Sequence, residues 1–196
     1  MRIEERADGL HITGYVNVTG KLSRPIITPH GKCVETIEER AFAKAIEKAG
    51  EVTVSVDHDK THVYASTSDN SLKLKEDAIG LHADVLITDP TVIEMAKKGR
   101  IRGWSFGMYN VVDKLEQRAE GELPLRRISG LDLDHITLVV NKQPCYAATS
   151  VEYRADEGDR FVEQRALDIT PELHIISSEN KHNYSDYEKR LEALRK

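Results

Sequence analysis

Among the 196 residues, the group best placed for covalent chemistry is Ser105, set in Gly103-Trp104-Ser105-Phe106-Gly107 after the basic stretch Gly99-Arg100-Ile101-Arg102. A serine hydroxyl is a weak nucleophile at neutral pH, so it needs a base to take its proton and a third group to hold that base in the working tautomer. Two histidines answer the description. His58 sits in Asp57-His58-Asp59 directly after the alternating run Val52-Thr53-Val54-Ser55-Val56, so a strand would deliver the ring into a loop. His135 lies inside Leu131 to Val140, where alternation puts it on a face with Leu133 and Thr137 and opposite Asp134. Burying an imidazole without a partner is costly, which favours a hydrogen-bonded role for His135.

Other chemistries fit the same residues less well. The letters around Ser105 match the GxSxG nucleophile elbow of α/β-hydrolases, but that fold needs alternating strands and helices and the order Ser, acid, His. Here two helical segments precede the serine and none clearly follows it. The plainer alternative is a tight glycine-flanked turn whose serine caps a neighbour. Asp57, His58, Asp59 and His62 have metal-ligand chemistry. The HxxxH spacing puts both rings on one face only in a helix, however, and this segment has strand composition. No metal and no cofactor is expected.

The bulk composition narrows the function classes. With 28 basic against 33 acidic residues and a formal charge of -5, the chain lacks the positive field that a phosphate backbone demands, so nucleic acid is not expected as a partner. Cys33 and Cys145 are far apart with no thiol nearby, which fits a reducing compartment and two packing residues. Nothing approaches the roughly 18 consecutive apolar residues of a membrane span. The expectation is a soluble cytosolic chain with no membrane partner.

The positioning elements read as short strands with two helices. Strands are expected at Leu10 to Val18, Cys33 to Ile37, Val52 to Val56, Val63 to Thr67, Leu72 to Leu74, Gly80 to Leu86, Trp104 to Val112, Leu125 to Ile128 and Leu131 to Val140, from β-branched and aromatic content between Gly, Asp and Asn turns. Lys21 to Lys32, with Pro25, Pro29 and Gly31 and with Gly20 just before it, reads as a loop. Glu38 to Ala49 carries Ala41, Phe42, Ala45, Ile46 and Ala49 at helical spacing, with Gly50 as its stop. A second helix starts from Asp89 as N-cap and Pro90 in the first turn, and Lys97-Lys98-Gly99 closes it. A last extended piece runs from Pro144 to about Val151. From Glu152 the composition turns charged, with weak helical spacing only at Asn183 to Arg195. Residues 1–151 therefore read as one domain and 152–196 as a charged, partly helical or disordered extension.

Several blocks, in order, resemble the prohead maturation proteases of tailed bacteriophages. Glu35-Thr36-Ile37 followed by Ala41-Phe42 resembles the family's "ETI…GAF" segment, with Arg40 in place of the glycine. Val56-Asp57-His58-Asp59 resembles the block that carries the catalytic histidine, and Gly103-Trp104-Ser105-Phe106-Gly107 the "G-M-S-F-G" block with the catalytic serine. Leu74 with Gly80-Leu81 fits the pattern between them. His135-Ile136-Thr137-Leu138-Val139, then Pro144 and Tyr146-Ala147-Ala148-Thr149, resembles "E-V-S-L-V…PAYPAT". One position departs: the family's glutamate is His135 here. The distantly similar herpesvirus assemblins use a Ser-His-His triad, so the resemblance implies Ser105, His58 and His135 as catalytic residues, with Asp134 as the alternative third member. Oxyanion donors are expected near Arg102 and Gly103.

The resemblance also implies a mainly β fold with packed helices (α+β), built as an antiparallel β-barrel of the assemblin type. It implies a serine endopeptidase that cleaves the major capsid protein or its scaffolding segment, and possibly itself, during procapsid maturation. It would act in the host cytoplasm inside the assembling prohead, as a homo-oligomer. The alternative is a catalytically inactive scaffold or capsid-assembly protein that retains the protease fold. The charged extension would either tether the enzyme in the prohead or be trimmed by autocleavage.

Overall fold

Short alternating runs separated by turn residues make strands that bury one face each. A computed structural model of the chain has that character: it is mainly β with two helices, and it describes residues 1–29, 31–146, 152–153, 163–164 and 166–168. In chain order the elements are β1 (Arg2–Arg6), β2 (Gly9–Val18), β3 (Ile26–Thr28), β4 (Gly31–Ile37), α1 (Ala41–Lys48), β5 (Thr53–Val56), β6 (Ala65–Ser66), β7 (Leu72–Glu76), β8 (Gly80–Ile87) and α2 (Pro90–Lys97). The rest are β9 (Gly103–Glu116), β10 (Leu125–Val139), β11 (Lys142–Pro144), β12 (Glu152–Tyr153), β13 (Glu163–Gln164) and β14 (Ala166–Asp168). The helical spacing expected at Asn183 to Arg195 lies outside the described residues.

One four-stranded sheet runs β1-β2-β8-β7, a second runs β12-β13-β9-β10-β4-β3 with β5 and β6 attached to β10, and β11 pairs with β14. A single apolar cluster joins the two larger sheets: Ile12, Val16, Val85 and Ile87 come from the first, Ile37, Val54, Phe106, Ile136 and Leu138 from the second, and Phe42 from α1. The expected all-antiparallel pairing is corrected. The paired strands form open sheets and do not close into a ring, and β10 pairs in parallel with both β4 and β5. The cause is the length of β10, whose first half takes β4 at Leu125–Ile128 while its second half takes β5 at His135–Leu138. Helix α1 is the crossover between those two parallel neighbours.

Several expectations shift in detail. Leu125 to Ile128 and Leu131 to Val140 are one strand, β10, whose ladder with β9 slips between Ile128 and Gly130, Gly130 and Asp132, and Leu133 and His135. The gap expected between those two strands is an irregularity of the ladder around Gly130. The loop expected at Lys21 to Lys32 holds the three-residue strand β3 and the start of β4. Strand β1 is read poorly from sequence because Arg-Ile-Glu-Glu-Arg is a charged edge strand exposed to solvent, paired only to β2. Between Val63 and Thr67 only Ala65–Ser66 is paired. Helix α2 follows the sequence closely: the Asp89 carboxylate accepts from the N–H groups of Thr91 (2.8 Å) and Val92 (3.1 Å), satisfying two of the first-turn donors.

Helix α1 begins three residues later than expected, after Arg40 with φ of 67°. That left-handed conformation strains any side chain with a Cβ, which accounts physically for a glycine at this point of the family segment. The Glu76 carboxylate holds the turn by accepting from the N–H groups of Arg40 (2.8 Å) and Ala43 (2.6 Å). Arg40 itself is exposed, so its side chain contributes little packing. Replacing Arg40 by Gly is expected to raise stability by about 0.5–1 kcal/mol in urea unfolding; an unchanged or lower midpoint would show that the strain is relieved elsewhere.

Candidate active site

The site is assembled on β10, with β5 on one side and β9 on the other. Thr137 of β10 is in register with Ser55 of β5 and with Ser105 of β9, so three hydroxyl residues form one row across three strands. Two residues back on the same strand, His135 is opposite Gly107, which has no side chain to compete with the imidazole. Ser105 is therefore neither on a nucleophile elbow nor in a glycine-flanked turn: it lies within a strand, and Gly103 and Gly107 flank it on the same face.

His58 reaches the row from the loop after β5. Asp57 and His58 have φ of 49° and 66°, a left-handed pair that costs about 1–2 kcal/mol per residue and persists only where the surroundings impose it. The surroundings do so from β10. The Asp57 N–H donates to the Leu138 carbonyl (2.9 Å), and the His58 N–H donates to Thr137 Oγ1 (3.1 Å), which also accepts from Ser55 Oγ (3.0 Å). The Asp57 carboxylate accepts from the N–H of Val140 (2.8 Å) and from Nδ2 of Asn141 (2.8 Å). Sequence reading missed Ser55, Thr137 and Asn141, although two hydroxyl residues at inward positions of otherwise apolar strands were a signal.

The side chains then form a continuous relay. Ser105 Oγ is 2.8 Å from His58 Nε2, His58 Nδ1 is 2.7 Å from His135 Nε2, and His135 Nδ1 is 2.6 Å from Asp134 Oδ2. The ionised carboxylate can only accept, so the protons of the relay have one consistent assignment. His135 Nδ1–H donates to Asp134, leaving Nε2 to accept from His58 Nδ1–H, which leaves His58 Nε2 to accept from the Ser105 hydroxyl. The imidazole rings meet edge to face, 5.0 Å apart and inclined at 83°. Ser105 and His135 are 0% and 1% exposed and His58 is 8% exposed, a setting where hydrogen bonds are electrostatically stronger than in water.

Asp134 and His135 are neighbours on a strand, and simple alternation sends their side chains to opposite faces. The ladder slip between Leu133 and His135 lets the pair touch. Lys60 Nζ, also unforeseen, lies 2.8 Å from Asp134 Oδ2. Burial pushes the Asp134 carboxyl up, but the hydrogen bonds and charges of His135 and Lys60 outweigh it and bring it down to about 2 from an ordinary 3.8.

The remaining candidates are dispersed. Asp57 is occupied with Val140 and Asn141, while Asp59 and His62 pair with each other on the surface at 2.9 Å, so the four residues considered as metal ligands do not converge. The Arg102 N–H donates to the Val139 carbonyl (2.7 Å), which commits it to the ladder just before Gly103. Cys33 and Cys145 are both buried. No helix among the described residues is long and apolar enough to cross a membrane.

A depressed carboxylate stabilises the fold above its ordinary pKa and loses that contribution as pH falls through the folded-state value. Asp134→Asn is therefore expected to be less stable than the parent chain by an amount that is constant from pH 5 to 8 and shrinks as pH falls from about 4 toward 2. Thermal unfolding across that range checks it, and a difference independent of pH would mean that the carboxylate charge is not what holds His135.

Comparison with curated proteins and with solved structures found no match. The model of the family described as caudovirus prohead serine protease matches residues 1–164, taking in every strand and helix that supplies the relay. This chain belongs to that family, the serine proteases of phage proheads.

Proposed function

We propose that Ser105 is the nucleophile, His58 the general base and His135 the orienting group of an endopeptidase that cleaves the major capsid protein or its scaffolding segment in the procapsid. The observation that carries this reading is the unbroken relay from Ser105 Oγ through both imidazoles. Ser105 attacks the scissile carbonyl as His58 Nε2 takes the hydroxyl proton, and the resulting imidazolium gives that proton to the leaving amine. As His58 becomes charged, its Nδ1–H bond to His135 strengthens. His135 in turn leans on Asp134, so the carboxylate that the family usually places directly on the base acts here through one intervening imidazole. Asp134 is then a fourth, positioning member and not an alternative third one.

With the Arg102 N–H committed to Val139, the backbone at Gly103 and around Ser105 is the source this reading assigns for oxyanion donors. The two larger sheets, filled by one apolar cluster, are read as the walls of the assemblin-type barrel. Partners are the capsid or scaffolding protein and further copies of the protease, with the work done inside the assembling prohead.

The test is coexpression with the cognate capsid protein, read by intact mass. The parent chain is expected to shorten the capsid protein, and Ser105→Ala and His58→Ala to slow cleavage on the order of 10⁴- to 10⁶-fold, leaving it whole. Asp134→Asn is expected to slow cleavage roughly ten- to a hundredfold, and His135→Glu to retain cleavage. Full-length capsid protein in assembled heads with the parent chain would instead make it a scaffold in a protease fold.

A further inference from the structure

The nucleophile strand β9 has two edges. One carries the long ladder to β10, from Leu125 to Val139. On the other edge, among the described residues, β13 adds just two residue pairs, Glu163 with Met108 and Gln164 with Gly107, both antiparallel. At about 3.4 Å per residue, Gly107 is about 7 Å along the strand from Ser105. Two more steps of this register would place residue 166 opposite Ser105. The chain does not take them: Ala166 pairs with Pro144 of β11 instead, and β14 continues to Asp168 opposite Lys142. The extension thus approaches the serine along the β9 edge and leaves for a second edge two positions short of it.

A strand edge presents unpaired N–H and C=O groups and accepts any extended chain by backbone pairing. Ser105 is 0% exposed, so no peptide bond reaches its hydroxyl until something in the folded chain gives way. The two-pair ladder of β13 is the part with least to lose. We propose that the β9 edge at Gly107 and Met108 is the track on which an extended peptide pairs to present its scissile bond to Ser105, and that Glu163 and Gln164 hold this track in the resting chain as a displaceable strand. The assignment rests on Ser105 being the nucleophile. It makes an extended segment the recognised form of the substrate and the C-terminal extension a tethered competitor for it.

The test uses the full chain. Gln164→Pro removes the backbone N–H and disfavours the strand, whereas Gln164→Ala keeps the backbone and serves as control. Two readouts are taken: hydrogen exchange of the Gly107–Met108 segment, and the rate at which a small alkyl fluorophosphonate labels Ser105. Gln164→Pro is expected to remove protection at Gly107–Met108 while leaving the β10 side unchanged, and to speed labelling roughly five- to tenfold, the gain when a site mostly closed becomes mostly open. A synthetic peptide of residues 159–168, added in trans, is expected to restore protection and slow labelling again. Glu163→Pro is the second variant should Gln164→Pro unfold.

Unchanged protection in both proline variants would overturn the occupancy in cis. Lost protection that the peptide does not restore would overturn the edge as a peptide track. If exchange behaves as expected but Ser105 is labelled in no variant, the edge stands as a strand-docking site and the protease reading of Ser105 falls.

Discussion

The rest of the structure depends on the direction of one chain of hydrogen bonds. An imidazole hydrogen-bonded on both nitrogens has two ways to place its proton, and two imidazoles in series are equally consistent with a relay running either way. The carboxylate of Asp134 removes the ambiguity, because an ionised carboxylate accepts and never donates. With it at one end, His135 and His58 each present a lone pair toward Ser105. Hydrogen bonds from His135 and from Lys60 outweigh burial and keep the carboxylate ionised.

That constraint explains the irregularities of the fold. Strand β10 carries Asp134, His135 and Thr137, and its slip between Leu133 and His135 brings two neighbours that alternation would separate into hydrogen-bond contact. The left-handed pair Asp57 and His58 is unfavourable by itself, and β10 holds it through Thr137, Leu138 and Val140. Because β10 pairs with both β5 and β9, the base and the serine are referenced to the same strand. Their separation is then set by ladder register and not by loop packing.

Much of this was legible in sequence, for reasons specific to each element. Alternation located β2, β5 and β8, and the strand-to-loop delivery of His58 was plain because Val52 to Val56 alternates up to the acidic turn. The composition of the second helix announced its cap. What period-two reasoning could not supply were features that break the period or lie beyond it: the bulges that make β10 one strand, the contact between Asp134 and His135, and the parallel pairing of β10 with β4 and β5. The family blocks were readable as letters, but their meaning is spatial. Phe42, Phe106 and Tyr146 come from three separate blocks and meet in the core: Phe42 packs edge to face on Phe106 at 5.3 Å, and Phe106 stacks on Tyr146 at 6.4 Å. Glu35, from the first block, accepts from the Tyr146 hydroxyl at 2.9 Å and faces the buried Arg126 at 3.4 Å, which also pairs with Asp113. A buried carboxylate is tolerated only with such partners, and the hydrogen bond from Tyr146 to Glu35 ties the last block to the first.

The relay is complete in a chain with no substrate, at distances of 2.6 to 2.8 Å, while the serine that ends it is fully covered. Those two facts together place the control of reactivity. Were activation a matter of bringing His58 and Ser105 together, the resting chain would hold them apart. It holds them in contact, buried, with strained backbone already committed to the loop that carries His58. On the track proposed above, what distinguishes a resting from a working molecule is then access to the β9 edge, and access is governed by a ladder of two residue pairs. A protease that must not cut before its shell has formed can keep its chemistry assembled, provided that the strand docked beside Ser105 yields only to a peptide supplied at high local concentration.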